Sequence, residues 1–114
     1  MKHQALEMTL LLDYYGELLT EKQRTCFDLY YNQDLSLGEI AEEAGISRQG
    51  VHDSLARAEA TLLDLEQKLG CLARAERLQQ NLQIICQAAE TLLTIPQARE
   101  LAEAIRTAAQ DLKE

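Results

Sequence analysis

Two helix-start signals eleven residues apart, with a glycine between them, constrain the fold of this chain more than any other feature. Ser36 is followed three residues later by Glu39, the spacing of a capping box, in which each side chain accepts a hydrogen bond from the other residue's backbone N–H. Ser47 is a second helix cap, and Gly45 tolerates the left-handed backbone of a tight turn. The pattern predicts two helices joined at Gly45.

The apolar residues around this turn distinguish a helix-turn-helix from an ordinary helical hairpin. Ala41 is small enough for the point where two helices cross, and apolar residues recur at intervals that face the two helices inward. The spacing around Gly45 favours the helix-turn-helix, with a generic hairpin as the alternative. The inward-facing apolar residues are Ile40, Ala44, Ile46, Val51 and Leu55.

The rest of the chain is also expected to be helical. It has one proline and five glycines, and its apolar residues make up 46% while aromatics make up 4%, so the core is mainly Leu, Ala and Ile. An amphipathic helix is predicted over residues 5 to 18, weakened or ended by Gly16, and a second helix is capped by Thr20 with Gln23. The residues at helical spacing in the first helix are Leu6, Leu10, Leu11, Tyr14 and Leu18. The fold class is therefore predicted to be all-α, with a helix-turn-helix domain over residues 1–60 and a helical extension over 61–114.

Two leucine-rich stripes extend along the chain from Leu55, which lies in the second helix of the motif, to Leu92. Their alternating spacing of three and four is typical of a coiled-coil seam, so the long C-terminal helices are predicted to form a homodimer, with an intramolecular hairpin of residues 48–93 as the alternative. Gly70 either ends the first of these helices or is carried through it, and Thr94 with Gln97 resembles another capping box. The stripes are Leu55, Ala58, Leu62, Leu65, Leu69 and Leu72, then Leu78, Leu82, Ile85, Ala89 and Leu92.

The outward face of the helix begun by Ser47 carries the candidate binding residues. Arg48 and Gln49 are able to pair with guanine or adenine edges in a major groove, His52 could donate to a base or phosphate, and Arg57 lies near the edge of this face. The alternative is that these are solvated helix positions. Asp53 on the same face is expected to orient an arginine or to reject wrong partners.

The charge of the chain counts against tight nucleic-acid binding. The formal net charge is −8, and residues 20–60 contain four basic and eight acidic residues, so the basic patch typical of such proteins is missing. Phosphate contacts supply most non-specific affinity. Any DNA affinity is therefore predicted to be weak and steeply salt-dependent.

An enzyme is not indicated. His3 and His52 are far apart, and no phosphate loop, nucleophile motif or cofactor motif is present. The three cysteines, Cys26, Cys71 and Cys86, are widely spaced and form no CxxC pair, which favours reduced thiols over a disulfide or metal site. With no signal peptide or membrane span in the sequence, a cytoplasmic location without cofactor is expected.

Several separated blocks resemble one known family. They are LLDYYGELLTEKQR from Leu11, LYY from Leu29, SLGEIAEE from Ser36 and SRQ from Ser47, and together they are similar to the YlxM family of helix-turn-helix proteins from Gram-positive bacteria. More distantly they resemble region 4 of sigma-70-type factors, which reads promoter DNA. The match covers about residues 6 to 70. It implies that Arg48, Gln49 and His52 occupy the recognition positions, and that the chain has a regulatory role in the signal-recognition-particle pathway, beside whose genes the family is encoded.

The sequence leaves three functions open. The first is sequence-specific DNA binding by a dimer. The second is an acidic protein-interaction module, which would bind a basic component of the targeting particle or of RNA polymerase. RNA binding is a third reading, which has the same charge problem and no aromatic stacking platform.

Overall fold

A computed structural model describes residues 5–113 of the chain. This part of the chain forms six α-helices and contains no β-strand. The prediction of an all-α fold is confirmed. Two short 3-10 helices, Gly16–Leu18 and Pro96–Ala98, lie between the α-helices, which are α1 Ala5–Tyr15, α2 Glu21–Tyr31, α3 Leu37–Ala44, α4 Arg48–Leu69, α5 Cys71–Leu92 and α6 Arg99–Lys113.

The two capping boxes predicted at the starts of α2 and α3 are both present. The Gln23 backbone N–H donates to Thr20 Oγ1 at 3.1 Å, and the Thr20 N–H donates back to Gln23 Oε1 at 3.1 Å. At α3 the Glu39 N–H donates to Ser36 Oγ at 3.1 Å, and the Ser36 N–H donates to Glu39 Oε1 at 3.0 Å. Each box gives partners to two N–H groups that a helix start otherwise leaves unpaired.

Two glycines in the left-handed region end α3 and α4. Gly45 has φ +70° and its N–H donates to the Ala41 carbonyl, while Gly70 has φ +65° and its N–H donates to the Glu66 carbonyl. A residue with a Cβ is strained in this region. Gly70 therefore ends its helix rather than being carried through it.

One compact unit ends at Leu72, and its core is built along the inner face of α4. Val51, Leu55, Ala58 and Leu62 are buried there against α1, α2 and α3. Most of the first leucine stripe is thus covered within the chain, because Leu55, Ala58, Leu62 and Leu72 are buried, whereas Leu69 is 49% exposed. The other buried members of this core are Met8, Leu11, Tyr15, Leu19, Cys26, Phe27, Tyr30, Tyr31, Ile40 and Leu72.

The first helix ends directly before Gly16, as one of the two predicted roles of this glycine requires, but its buried face differs from the prediction. The buried side chains are those of Met8, Leu11 and Tyr15, while Leu6 and Leu18 are exposed. Apolar residues occupy more than one face of this segment, so periodicity alone did not determine which face the core would bury.

A second compact unit begins at Ala73 and contains the rest of α5 and all of α6. Leu82 and Cys86 of α5 pack with Ala109 of α6 in its small core. The division after Leu72 lies beyond the boundary expected at residue 60, because α4 passes through residue 60 without interruption. No helix in the range 5–113 is long and apolar enough to cross a membrane.

The capping box expected at Thr94 is wrong. The Thr94 hydroxyl donates to the Thr91 carbonyl at 2.7 Å and thereby closes the end of α5 instead of opening the next helix. The chain then runs extended through Ile95 into the 3-10 turn that begins with Pro96, and α6 starts only at Arg99. Proline is tolerated at the first position of such a turn because its missing N–H would have no partner there.

Candidate nucleic-acid interface

The turn between α3 and α4 is fixed by backbone and cap hydrogen bonds. The Ile46 N–H donates to the Ala41 carbonyl at 3.2 Å, immediately after the left-handed Gly45. Ser47 Oγ then accepts from the Gly50 N–H at 2.9 Å and so caps α4. Since Ile40 and Val51 are fully buried on the two sides of the turn, the start of α4 is held rigidly against α3.

Three of the four predicted site residues lie at the surface on the first two turns of α4. Arg48, Gln49 and His52 are all exposed, and 48% of the His52 side chain is accessible to solvent. None of them is used to fill the core, so all three are accessible to a partner that approaches this end of the helix. Helix N-terminal residues are the ones that meet base edges when a recognition helix lies in the major groove.

Asp53 holds Gln49 in place. The Gln49 Nε2 group donates to Asp53 Oδ1 at 3.0 Å, and His52 Nδ1 lies 3.5 Å from the same oxygen. The expectation that Asp53 orients an arginine is therefore corrected, because its partners are a glutamine and a histidine. A carboxylate that fixes the side-chain amide reduces the conformational freedom that Gln49 would lose on contacting a base.

Arg57 is separated from the other three site residues. It lies nine residues after Arg48, which is about two and a half helical turns, so it faces away from Arg48 and His52 and is about 80° around α4 from Gln49. There it lines a surface cleft of about 340 Å³ between the start of α2 and the second to third turns of α4. The residues that line the cleft are Thr20, Lys22, Gln23, Gly50, Asp53, Ser54 and Arg57.

Ser54 is a polar residue of this cleft that the sequence analysis did not single out. Only 7% of the residue is exposed, and its Oγ has no hydrogen-bond partner among the residues that the structure describes. Buried hydroxyls are usually paired, so an unpaired one is unusual. The sequence carries no signal for the cleft, because α2 and α4 are brought together only by tertiary packing.

Gly50 has a local steric reason to be a glycine. An ideal Cβ at this position would lie 3.1 Å from Ser47 Oγ, the oxygen that caps the helix, and 3.7 Å from Ile46 Cδ1. A larger residue would press on the cap of α4. Glycine at position 50 therefore leaves the helix cap undisturbed, although glycine has a low intrinsic helix propensity.

The outer face of α3 is acidic. Glu42 and Glu43 are exposed, whereas the Glu39 carboxylate is engaged in its capping box. Hydrogen bonds from the Ser36 backbone N–H and from the Ser36 side chain hold the pKa of Glu39 below its usual range. This carboxylate therefore has a structural use in the start of α3, whereas Glu42 and Glu43 lie further along the exposed face of the same helix.

Comparisons with known proteins agree with this geometry. Residues 2–105 match the model of the UPF0122 family, described as "Putative helix-turn-helix protein, YlxM / p13 like". A UPF0122 protein of Thermoanaerobacter sp. strain X514 is 44% identical over 109 residues, which cover 96% of this chain and 93% of the relative. One of Halalkalibacterium halodurans is 44% identical over 107 residues, covering 94% and 98%, and one of Acetivibrio thermocellus is 58% identical over 64 residues, covering 56% and 55%. The chain belongs to the UPF0122 family of YlxM/p13-like helix-turn-helix proteins.

Proposed function

We propose that this chain is a cytoplasmic DNA-binding regulatory protein that places the start of α4 in the major groove. One observation carries the proposal: Arg48, Gln49 and His52 are exposed at the N-terminus of a helix whose entry is fixed by the Gly45 turn and the Ser47 cap. Arg48 would contact a guanine and Gln49 an adenine through paired hydrogen bonds. His52, next along the same face, would donate to a base or a phosphate.

Affinity for DNA is expected to be modest. The motif region, residues 20–60, contributes more acidic than basic residues, so its long-range field repels phosphate. Binding then depends on a few cations close to the duplex, and each contact formed releases counterions. We expect affinity to fall steeply as salt is raised, with sequence preference supplied by Arg48 and Gln49.

Selection from a random duplex pool at low salt tests the proposal. The protein is expected to enrich a defined sequence, and fluorescence anisotropy should then show tighter binding to that sequence than to random duplex. Arg48→Ala and Gln49→Ala should each reduce this preference about ten-fold, which corresponds to about 1.4 kcal/mol and lies within the roughly 1–3 kcal/mol of one paired contact. Arg77→Ala removes the same charge from an exposed position of α5 and should leave the preference unchanged. Failure to enrich any sequence would reject the proposal.

The homodimer is part of this proposal, with its interface moved to the second unit. Leu78, Ile85 and Leu92 follow one another at seven-residue intervals on α5 and are all at least partly exposed, as are Leu101, Ile105 and Leu112 on α6. Exposed apolar stripes of this spacing are typical of helices that pack against another helix.

Sedimentation at micromolar concentration is expected to show a dimer. Ile85→Glu, within the α5 stripe, should give a monomer. Ile84→Glu is the matched control, because Ile84 is 64% exposed and lies beside the stripe rather than in it. A wild-type monomer would remove the dimer from the proposal without affecting the DNA-binding part.

The acidic face of α3 favours a second candidate function, an interaction module for a basic protein. Glu42 and Glu43 are exposed on the helix that precedes the recognition helix. Charge complementarity would speed association and select the partner. The family resemblance makes a basic component of the protein-targeting particle, or of RNA polymerase, the partner to try first.

A pull-down with purified basic components tests this candidate. Binding should be lost in the Glu42→Lys, Glu43→Lys double variant and retained in Glu76→Lys, Glu90→Lys, which reverses two exposed charges of α5. Glu39 is left intact, because its reversal would break the cap of α3. Equal binding by both double variants would argue against this role for α3.

A further inference from the structure

We infer that the cleft between the start of α2 and α4 binds a phosphate group of the DNA backbone beside the recognition helix. This inference rests on the proposed DNA-binding function and adds to it a second contact surface. The cleft is lined by Lys22 from α2 and by Arg57 and Ser54 from α4. These three residues are not among the positions proposed to contact bases at the start of α4, so the cleft is a separate contact surface.

The start of α2 supplies N–H donors to the cleft. The capping box pairs the N–H groups of Thr20 and Gln23 with each other's side chains. The N–H groups of Glu21 and Lys22 lie in the same first turn, where helix geometry provides no acceptor within the helix. Because the helix dipole also places partial positive charge there, this end of α2 is suited to an anion.

Ser54 gives a second and independent reason to place an acceptor in the cleft. Its hydroxyl is more than nine-tenths buried and has no partner in the described part of the chain, and Ser54 is one of the residues that line the cleft. Rotation of the side chain would let this hydroxyl donate to an oxygen seated between the two helices. A phosphate oxygen would satisfy it.

The charges around the cleft favour an anion over a cation. Lys22 and Arg57 bring two positive charges, and Asp53 brings one negative charge. The Asp53 carboxylate already accepts from Gln49 and faces His52, so part of its charge is directed toward the recognition residues. An arginine in addition offers paired donors that match phosphate oxygens.

The position of the cleft along α4 agrees with a backbone phosphate. A helix with its side chains is about 10–12 Å across and fills a major groove about 12 Å wide, so the edges of a recognition helix face the two sugar-phosphate strands. Arg57 lies on such an edge, away from the residues proposed to contact bases. The cleft thus occupies the place where a phosphate of the bound duplex would be expected, and contacts of this kind set the register of the protein on DNA.

The salt dependence of duplex binding tests this site. In anisotropy titrations with one duplex at several salt concentrations, Lys22→Gln and Arg57→Gln are each expected to weaken binding several-fold on every sequence. Each should also reduce the slope of log K against log salt by about 0.9, the value for one lost phosphate contact. Ser54→Ala should weaken binding while leaving the slope unchanged, because serine releases no counterion.

Arg24→Gln is the matched control, since Arg24 is an exposed cation of α2 outside the cleft. It should leave the slope unchanged, and helical circular dichroism should be the same for every variant. Unchanged slopes in both Lys22→Gln and Arg57→Gln, with wild-type binding intact, would overturn the cleft while leaving the DNA-binding function standing.

A titration with inorganic phosphate separates a backbone phosphate from a free anion. Amide NMR signals of Glu21 and Lys22 are followed in the wild-type protein and in Arg57→Gln. Shifts that saturate with phosphate and are lost in Arg57→Gln, together with the slope changes on duplex, would support the inference. The same shifts in a protein whose duplex binding is absent or unaffected by the substitutions would overturn the backbone assignment in favour of a free anion. Absence of both effects would overturn the site altogether.

Discussion

The Tyr15 hydroxyl in α1 donates a hydrogen bond of 2.7 Å to Glu66 Oε1 in α4, although the two residues are 51 positions apart. The same hydroxyl accepts from the Cys71 N–H at 3.1 Å, and Glu66 Oε1 also accepts from the Leu72 N–H at 3.0 Å. The pair therefore caps the start of α5 directly after the Gly70 turn. A side-chain network of this kind fixes a turn more firmly than the glycine alone.

Replacement of Tyr15 by phenylalanine tests that network. The ring is kept, but the Cys71 N–H loses its acceptor and Glu66 loses a donor, and an unpaired buried polar group is destabilising. We expect the thermal midpoint of Tyr15→Phe to fall by roughly 4–8 °C, the shift that one such interaction gives in a domain of this size. Tyr14→Phe, at the exposed neighbouring position, should change the midpoint little. Equal midpoints for the two variants would argue against the network.

Alkaline pH gives a second test of the same residue. Burial, followed by the side chains of Cys71 and Glu66, raises the pKa of Tyr15 above the usual value for a phenol, and the hydrogen bond from the Cys71 backbone N–H opposes this shift only in part. The folded state therefore favours the protonated phenol. The stabilisation that Tyr15 gives to the fold is complete below about pH 10, the pKa of an unfolded tyrosine, and is lost at higher pH.

The measurement is the urea midpoint of the wild type minus that of Tyr15→Phe, taken from pH 8 to pH 11. Other groups that titrate in this range cancel in the difference. We expect the difference to be constant up to about pH 9 and to shrink above pH 10. A difference that grows with pH would reverse the sign of the pKa shift and contradict the structure.

Features that depend on neighbouring residues were predictable from the sequence, and those that depend on distant ones were not. The Thr20 and Ser36 boxes and the turn at Gly45 follow from residues within four positions of each other. The Thr94 box failed although its spacing was right, because the next helical turn begins after Ile95 and the Thr94 hydroxyl instead donates to the carbonyl of Thr91. Local spacing shows which bonds are available, and competition decides which one forms.

The candidate site shows the same division. The exposure of Arg48, Gln49 and His52 follows from the period of α4 once Val51 and Leu55 are taken as buried. The bond from Gln49 to Asp53 depends on side-chain rotamers, and the cleft containing Arg57 depends on the packing of α2 against α4. Only the cleft is absent from residue spacing along one helix, because Gln49 and Asp53 are four residues apart, the spacing at which helix side chains pair.

Substitution of the turn glycines should reveal the cost of a left-handed backbone. An added Cβ meets nothing within 4 Å at Gly45 or Gly70, so the loss in either Gly→Ala variant comes from φ alone. We expect the free energy of unfolding to fall by about 1–2 kcal/mol in each case. Gly38→Ala, in the first turn of α3, would place its Cβ at an ordinary contact distance of 4.0 Å from Ser36 Oγ, and should instead be neutral or stabilising by up to about 1 kcal/mol. Chemical denaturation of the three variants makes the comparison.

Asp53 is expected to influence affinity and sequence preference in opposite directions. In Asp53→Ala a negative charge is removed from the helix that faces DNA, so binding to random duplex should tighten several-fold. Because Gln49 loses its acceptor, preference for the selected sequence should fall at the same time.

Asp53→Asn separates the two effects, since it removes the charge and keeps an acceptor for Gln49. It should tighten binding as Asp53→Ala does while retaining the preference. Anisotropy with the selected and random duplexes measures both quantities. Loss of preference in Asp53→Asn to the same extent as in Asp53→Ala would show that the charge, and not the bond to Gln49, is what matters.

The inner face of α4 allows a direct test of whether the first leucine stripe packs within one chain. Leu62 is 0% exposed and belongs to the core of the first unit, whereas its neighbour Leu63 is 44% exposed. Leu62→Ala leaves a cavity and should lower the free energy of unfolding by about 2–5 kcal/mol, while Leu63→Ala should have a much smaller effect. If the stripe joined two copies instead, the stability lost in Leu62→Ala would depend on protein concentration through dimer dissociation. Urea denaturation is carried out at two protein concentrations that differ about fifty-fold. We expect the difference in free energy of unfolding between wild type and Leu62→Ala to be the same at both. A difference that grows on dilution would indicate that this stripe belongs to the dimer interface.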